Sequence, residues 1–445
     1  MTERPGARRP KERRAARERP VPIGAVAAER KQRRALSHVG GAVEMYGDDA
    51  NASGLLASAL AVEPDEESTR THVHGFHSYP ARLHPTTATR LIAAFSGQDG
   101  SVLDPFCGSG TVLVEARLLG RRGFGVDANP LAIELTWLKT SRFGDAERDR
   151  LLQGAERVAA AAEDRRQRRA GATRRYGPED QALFEPHILL ELDGLAQAIG
   201  DVADPDSRRA LRLVLSSLLT KVSRRHGDAS SRSGQRRLPS GYAIRFFEDR
   251  TAELAERLRQ FAERLPESSR SPELHAGDAR RLAGIADRTV DLVVTSPPYP
   301  GVYDYLEHHV DRLRWLGIDA KPFAGREIGS RRQLGNKPFA RALGDWESDL
   351  GRCLEALGRV LRPSGLAALV LADSVLSGRA VRAGELIRRV APRAGFALVA
   401  GASQERPYFH APTARAFSEA PRREHLLLLR PVNQASNPRR RRIVR

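Results

Sequence analysis

Short apolar runs alternate with segments of helical spacing between residues 71 and 141, and this pattern predicts the opening of a doubly wound α/β sheet. The runs Ser101–Leu103 and Gly123–Val126 have the length and composition of buried strands. Apolar spacing predicts helices over Thr86–Phe95, Val112–Leu119 and Pro130–Thr140. Strands that alternate with helices in this way are typical of a parallel sheet covered on both faces.

The strand pattern stops after Ser141 and returns near residue 271, so we expect the sheet to be interrupted. Helical spacing fills the gap over Ala146–Arg169, Pro186–Ile199, Asp206–Lys221 and Glu248–Leu265. Strands resume at Glu273–Ala276, Val290–Thr295, Leu366–Leu371, Phe396–Ala400 and His425–Leu429, with helices over Leu306–Leu316 and Trp346–Leu361.

These patterns predict five segments. Residues 1–70 are expected to form a basic arm and a low-complexity connector, both without regular structure, and residues 431–445 a basic disordered tail. Residues 71–141 and 271–430 are two halves of one sheet domain, and residues 142–270 are a helical insertion.

Composition supports a globular core, because 40% of the 445 residues are hydrophobic and 29% are charged. No apolar run approaches the ~20 residues that span a bilayer. The apolar stretch Val21–Ala28 is too short, and too closely flanked by arginines, for a secretory signal. We therefore expect a cytoplasmic protein without a membrane partner. Cys107 and Cys353 are the two cysteines, which excludes a disulfide framework and a cysteine-rich zinc site.

The formal charge of +18 is concentrated in three places. Residues 1–34 carry a net +8, residues 221–245 a net +6, and Pro438–Arg445 five arginines. Such localisation suits a polyanion, although a solubilising role is the alternative for the two ends. The candidate nucleic-acid contacts in the insertion are Lys221, Arg224, Arg225, Arg232, Arg236 and Arg237. The basic loop Arg326–Arg332 is the alternative location for recognition.

The segment Val102–Thr111, with the sequence VLDPFCGSGT, ends a predicted strand and opens a helix, as nucleotide-cofactor loops do. It has no Walker lysine and no third dinucleotide glycine, which disfavours a phosphate ligand. S-adenosylmethionine fits better, because its amino-acid end and its ribose need carboxylates. Three successive strand ends supply them at Asp104, Asp127 and Asp278. The other candidate cofactor residues in these loops are Phe106, Gly108, Gly110, Thr111 and Asn129.

A second motif, Ser296-Pro297-Pro298-Tyr299, directly follows the strand Val290–Thr295. Two prolines offer no N–H groups, so this tetrad presents carbonyls at the carboxyl end of the sheet. An exocyclic amine needs such acceptors, because hydrogen bonds to the Ser296 side chain and the Pro297 carbonyl favour its pyramidal, nucleophilic form. We expect the ring of Tyr299 to stack on the aromatic base that carries this amine.

Together, DPFCGSGT, the acids in GVDANP and GDAR, and TSPPY resemble the DNA amino-methyltransferases, the family that modifies cytosine-N4 or adenine-N6. The resemblance covers roughly residues 71–141 and 271–430 and implies a Rossmann-like methyltransferase sheet with S-adenosylmethionine as cofactor. It also implies that His77, Tyr79 and Pro80 close over the methionine end of the cofactor. Serine in place of the aspartate usual in adenine enzymes of the family favours cytosine-N4, although serine forms are not exclusive to one base.

Other interpretations stay open at this point. An RNA base methyltransferase, a non-catalytic nucleic-acid-binding protein and a protein-glutamine methyltransferase are the alternatives, and a restriction partner is not identified. Four histidines, His72, His74, His77 and His84, precede the cofactor loop, but we expect them to form hydrogen bonds to the cofactor or the substrate and predict no metal site. Cys107 is interpreted as a packing residue. Core packing is likewise expected of three aromatic residues after the tetrad, Tyr303, Tyr305 and Trp315.

Overall fold

The structure is a computed structural model, and it describes residues 41–62, 68–224, 237–407 and 411–432. The predicted disorder of residues 1–40 and 433–445 therefore falls outside the described residues. Residues 225–236, which contain Arg225, Arg232 and Arg236, also fall outside them.

Eight strands form one sheet in the order β1-β9-β10-β6-β5-β2-β3-β4. Neighbours from β6 to β4 pair in parallel, whereas β1, β9, β10 and β6 pair antiparallel. Strands β7 and β8 form a separate hairpin. In chain order, the strands are β1 (Val43–Gly47), β2 (Ser101–Asp104), β3 (Arg122–Asp127), β4 (Glu273–Ala276), β5 (Val290–Thr295), β6 (Leu361–Ala372), β7 (Ser374–Leu376), β8 (Arg379–Val381), β9 (Phe396–Glu405) and β10 (Arg423–Pro431).

Helices cover both faces of this sheet. They are α1 (Ala50–Leu60), α2 (Pro85–Phe95), α3 (Thr111–Leu118), α4 (Pro130–Thr140), α5 (Asp145–Gln167), α6 (Pro178–Leu183), α7 (Pro186–Gly200), α8 (Pro205–Val222), α9 (Tyr242–Arg264), α10 (Tyr305–Trp315), α11 (Lys321–Ala324), α12 (Arg331–Leu334), α13 (Phe339–Val360), α14 (Ala383–Arg393) and α15 (Ala411–Ala416). Apolar side chains of α1, α2 and α3 pack on one face and those of α13 and α14 on the other. Alternate residues of a strand point to opposite faces, so Val102 contributes to the first layer and Leu103 to the second.

The predicted doubly wound α/β fold is confirmed. The order in which strands are added to the sheet changes side between β2 and β5. From β2 the chain adds β3 and β4 on one side, and it then returns to add β5 and β6 on the other side. Ligands of open α/β sheets bind outside the carboxyl ends of the strands at such a switch point. Asp104 ends β2 and Thr295 ends β5, so the two sequence motifs meet there.

Between β3 and β4 the described residues form helices α4 to α9 and no strand. The helices α5 and α7 to α9 bury a core of their own, which also includes Leu131, Leu135 and Leu138 of α4. The predicted helix Glu248–Leu265 in fact begins at Tyr242, and α6 was not expected. Trp315 packs in this core with its ring 5.4 Å from that of Tyr176, so core packing is confirmed for Trp315.

The expectation that residues 1–70 lack regular structure is wrong for residues 41–62. Val43–Gly47 pairs antiparallel with β9, with Val43 opposite Gln404, and Ala50–Leu60 forms a helix capped by Asp49. Leu56 and Leu60 of that helix are buried against the sheet. Apolar burial and edge pairing with a strand more than 350 residues away stabilise this segment, and neither is visible in its local periodicity.

Candidate active site

An open cleft of about 620 Å³ lies at the switch point. Seven of the predicted site residues line it: Tyr79, Phe106, Gly108, Asp127, Asn129, Ser296 and Pro298. The remaining lining residues come from the same loops or from the segment after the tetrad: Ala81, Pro105, Ala128, Ala279, Tyr305, Phe323, Arg326, Glu327 and Ile328. The structure thus brings the glycine loop, the end of β3 and the tetrad to one cavity.

Two glycines shape the loop between β2 and α3. Gly108 has φ +51°, and a Cβ atom there would lie 3.2 Å from the ring of Tyr79. Gly110 has φ +83° and is the residue before α3, where a Cβ atom would lie 3.0 Å from the Thr136 side chain. Left-handed backbone and close neighbours both favour glycine. Thr111 begins α3 and is buried.

Asp127 faces the cleft from the end of β3. Its Oδ2 accepts a hydrogen bond from the Gly108 N–H at 2.8 Å, and its Oδ1 accepts one from the Asn129 N–H at 2.8 Å. Each carboxylate oxygen accepts two hydrogen bonds, so acceptor capacity remains for a ligand. Burial raises the pKa of Asp127 to about 6. Asn129 caps α4 through the Leu131 N–H at 3.0 Å.

Asp104 does not line the cleft. Its Oδ1 accepts a hydrogen bond from the Thr295 hydroxyl at 2.6 Å and another from the Phe106 N–H at 3.1 Å, so it joins the end of β2 to the end of β5. Burial raises the pKa of Asp104 to about 7.

Asp278 is also engaged within the protein. Arg280 donates to it through Nη2 at 2.8 Å and through its backbone N–H at 2.9 Å. Burial raises the pKa of Asp278, but the hydrogen bonds from Arg280 outweigh that effect and leave the pKa below its ordinary value. Its neighbour Ala279, and not Asp278, lines the cleft.

The residues of the segment His77–Pro80 lie in two different places, the cleft and the contact with the insertion. Tyr79 lines the cleft, and its ring stacks 4.9 Å from the ring of His309. His77 instead points to the insertion, where its Nε2 forms a 3.1 Å hydrogen bond with the Ser216 hydroxyl. Neither His77 nor Pro80 is among the lining residues. His77 has φ +62°, a strained conformation held by this contact and by a 2.9 Å hydrogen bond from its Nδ1 to the Ser78 carbonyl.

The polar groups of the tetrad differ in whether another group of the protein already bonds to them. The Ser296 hydroxyl lies 3.2 Å from the Tyr299 hydroxyl, and Tyr299 packs at the edge of the core and does not line the cleft. Trp346 Nε1 donates to the Pro298 carbonyl at 3.0 Å. In the described part of the chain no donor reaches the Pro297 carbonyl. Ser296 lines the cleft, whereas Pro297 is not among the lining residues.

Sequence reasoning missed the wall formed by residues 305–328. Tyr305, assigned to packing, lines the cleft, as do Phe323 and Glu327. Arg326 is exposed at its rim. Glu327 is 5% exposed, and burial raises its pKa. The one sequence feature that marks this wall is the density of aromatic residues in Tyr299–Tyr305. Such density is found in buried cores as well as in clefts, so it does not predict a cleft.

The histidines form a buried cluster with an acid. His74 Nε2 donates to Glu115 Oε1 at 2.6 Å, and ligand-type atoms of His72, His74 and Glu115 lie within 4.8 Å of one another. Burial lowers the pKa of His72 to about 3 and that of His74 as well, so both are neutral near pH 7. The positive charges of Lys139 and Arg82 act on His74, which opposes binding of a further cation. The sequence predicted hydrogen bonds from these histidines to the cofactor or the substrate, but His74 bonds to Glu115 and none of the four histidines lines the cleft.

Three of the six predicted nucleic-acid contacts, Lys221, Arg224 and Arg237, lie within the residues that the structure describes. Lys221 lies in the last turn of α8, and Arg224 follows it with Nε 4.0 Å from Glu185 Oε1. Arg237 is exposed. One residue before Lys221, the Thr220 hydroxyl accepts a hydrogen bond from Arg312, which also donates to Ser78 beside the cleft residue Tyr79. This end of α8 therefore adjoins a wall of the cleft.

Parts of the chain are similar in sequence to known proteins. Residues 31–137 match the family model described as DNA methylase. The Type II methyltransferase M.BsoBI of Geobacillus stearothermophilus is 24% identical over 281 residues, which are 56% of this chain and 53% of that protein. A probable cobalt-precorrin-6B C(15)-methyltransferase (decarboxylating) of Pyrobaculum aerophilum is 31% identical over 160 residues, which are 35% of this chain and 75% of that protein. A tRNA (guanine(10)-N2)-dimethyltransferase of Methanothermobacter thermautotrophicus is 33% identical over 93 residues, which are 20% of this chain and 27% of that protein.

The names of these relatives share one reaction, methyl transfer, and differ in substrate. The fold, the cleft and the matches together define a methyltransferase. Within that class, the match of residues 31–137 and the Type II methyltransferase relative support the resemblance to the DNA amino-methyltransferases. The chain spans about half the length of the first of the relatives named above. Among the helices of the described ranges, none combines the length and apolar character needed to cross a bilayer.

Proposed function

We propose that this protein transfers a methyl group from S-adenosylmethionine to the exocyclic amine of a DNA base, with cytosine-N4 favoured over adenine-N6. The observation that carries the proposal is the meeting of two groups in one cleft. Asp127 and Gly108 of the glycine loop line the cleft together with Ser296, and in the described part of the chain no donor reaches the carbonyl of the adjacent Pro297.

The residues on the cofactor side fit S-adenosylmethionine. Gly108 leaves a space under the Tyr79 ring that a Cβ atom would fill, and the buried Ser109 hydroxyl has no hydrogen-bond partner in the described part of the chain. Asp127 retains acceptor capacity for ribose hydroxyls. Phe106 and Ile328 offer apolar surface for an adenine ring. When bound, this cofactor supplies an electrophilic sulfonium methyl group.

On the substrate side, the chain's own groups act on the amine. The Pro297 carbonyl and the Ser296 hydroxyl accept its two hydrogens, which withdraws the nitrogen lone pair from the aromatic ring and directs it outward. The Trp346 hydrogen bond to the Pro298 carbonyl holds the tetrad in place. A base within duplex DNA must leave the stack to reach these acceptors. No metal is needed for this chemistry.

We place nucleic-acid contacts on two basic segments. Arg224 and Arg237 flank residues 225–236 in the sequence, and Arg326 lies at the rim of the cleft. Phosphate contacts by such residues supply affinity without sequence information, and the helical insertion is our candidate for recognition. We retain the division into a cofactor half (71–141), an insertion (142–270) and a catalytic half (271–430) as part of this proposal.

RNA is the second candidate substrate, since one relative is named as a tRNA methyltransferase and RNA is equally anionic. Transfer of labelled methyl groups to DNA and RNA, followed by nucleoside analysis, separates the two. The Ser296→Ala variant is the control, since it removes an acceptor for the amine and leaves the cofactor side intact.

A further inference from the structure

The segment after the tetrad places a carboxylate in the wall of the cleft, and one of its oxygens accepts no hydrogen bond in the described part of the chain. Glu327 Oε1 accepts a hydrogen bond from the Leu306 N–H at 3.3 Å, at the start of α10. Glu327 Oε2 is buried and has no hydrogen-bond partner in the part of the chain that the structure describes. The Arg332 guanidinium, itself more than half exposed, forms an ion pair with Oε2 at 3.7 Å, a distance too long for a hydrogen bond.

Helix capping accounts for Oε1 and not for Oε2. A carboxylate at the first turn of a helix is favourable, so Glu327 stabilises α10 with one oxygen. Burying a second oxygen without a hydrogen-bond donor is costly, and a donor on a bound ligand offsets that cost. The cleft is the space that a ligand enters.

The position of Glu327 is fixed relative to the tetrad. The Gly301 N–H donates to the Gly329 carbonyl at 2.9 Å, and the Arg332 N–H donates to Asp304 Oδ1 at 2.7 Å. Residues 327–332 therefore run beside residues 301–306, directly after the tetrad. Glu327 and Ser296 line the same cleft as a result.

We propose that Glu327 Oε2 takes the proton that the target amine loses once the methyl group has been transferred, an inference that rests on the proposed function. The nitrogen lone pair forms the new N–C bond, and the electron pair of the C–S bond remains on sulfur. The nitrogen is then cationic. One N–H bond breaks, its electron pair returns to nitrogen, the proton passes to Oε2, and solvent removes it through the open cleft.

The surroundings of Glu327 suit a proton acceptor. Burial raises its pKa and the charge of Asp304 adds to this, whereas the N–H groups of Leu306 and Tyr305 and the charge of Arg332 act in the opposite direction. The Tyr305 ring and the exposed Arg326 also border the site. An acid whose pKa lies closer to neutrality accepts and returns protons more effectively than an ordinary glutamate.

The test compares Glu327→Gln and Glu327→Asp with Glu307→Gln, a control at an exposed position of α10, the helix whose first turn Glu327 contacts. S-adenosylhomocysteine affinity is measured by calorimetry, DNA affinity by fluorescence anisotropy, and kcat across a pH series with saturating cofactor and DNA. In E327Q we expect unchanged S-adenosylhomocysteine affinity and a kcat about 100-fold lower, at the low end of what a positioned base contributes. The decline of kcat at low pH should disappear in E327Q and persist in E327D and E307Q.

Three outcomes overturn the proposal. Wild-type kcat and an unaltered pH profile in a folded E327Q would show that the second oxygen has no role. A parallel loss of S-adenosylhomocysteine affinity would make Glu327 a cofactor ligand. Absence of methyl transfer to any nucleic acid by the wild-type protein would remove the proposed function itself, which distinguishes that failure from the first two.

Discussion

Cofactor affinity should depend on pH through a single carboxylate, Asp127. Burial raises its pKa to about 6, so in the free protein it is ionised above that pH and protonated below it. Ribose hydroxyls donate to the ionised form, so affinity is expected to rise as the pH rises through 6 and then level off. At pH 5 about one carboxyl in eleven is ionised. We therefore expect affinity about tenfold weaker at pH 5 than at pH 8.

The assay is calorimetric titration with S-adenosylhomocysteine across this range. The Asp127→Asn variant should lose about 1.5 to 3 kcal/mol of binding free energy at pH 8, the usual value of a hydrogen bond to a charged group, and its affinity should no longer vary with pH. The Asp104→Asn variant is the matched control, because Asp104 is buried at the neighbouring strand end but bonds to Thr295 and Phe106. A pH-independent affinity in the wild-type protein would refute the reasoning. So would a dependence that survives in D127N and disappears in D104N.

Three further outcomes are expected. Ser296→Ala should lower kcat and leave S-adenosylhomocysteine affinity unchanged, and equal losses in both would mean that the tetrad is structural. Trp346→Phe leaves the Pro298 carbonyl unpaired, so it should lower the free energy of unfolding by about 1 kcal/mol and reduce kcat, as measured by chemical denaturation and steady-state kinetics. Neutralising Arg326, Arg331 and Arg332 together should reduce the slope of log affinity against log salt by about 0.9 per lost phosphate contact on duplex DNA. A variant with Arg224, Arg225, Arg236 and Arg237 neutralised serves as the comparison in filter binding. An unchanged slope in both variants would mean that the nucleic acid binds elsewhere.

The sheet domain could be predicted where local sequence decides the structure. The helix Pro130–Thr140 was predicted with its observed bounds, because Asn129 caps it and a proline occupies its first turn. The strand Val290–Thr295 was predicted as well, because its apolar residues are buried on both faces. The edge strand β1 was missed because most of its residues are exposed and its partner is β9, far along the chain.

The candidate site shows the same division. Gly108, Asp127 and Ser296 belong to contiguous motifs at strand ends, and the topology of the sheet brings them into one cleft. Glu327 could not be predicted, since its position depends on hydrogen bonds between residues 301–306 and 327–332. Asp104 illustrates the reverse case, because it lies in a motif and yet its carboxylate bonds within the protein.

The most direct test of the central claim is transfer of a tritiated methyl group from S-adenosylmethionine to DNA, RNA and protein of the same host, with identification of the methylated nucleoside. We predict label in DNA, recovered as N4-methylcytosine and lost in Ser296→Ala, with RNA and protein unlabelled. Label confined to RNA or protein, or no label with any of the three, would contradict the claim.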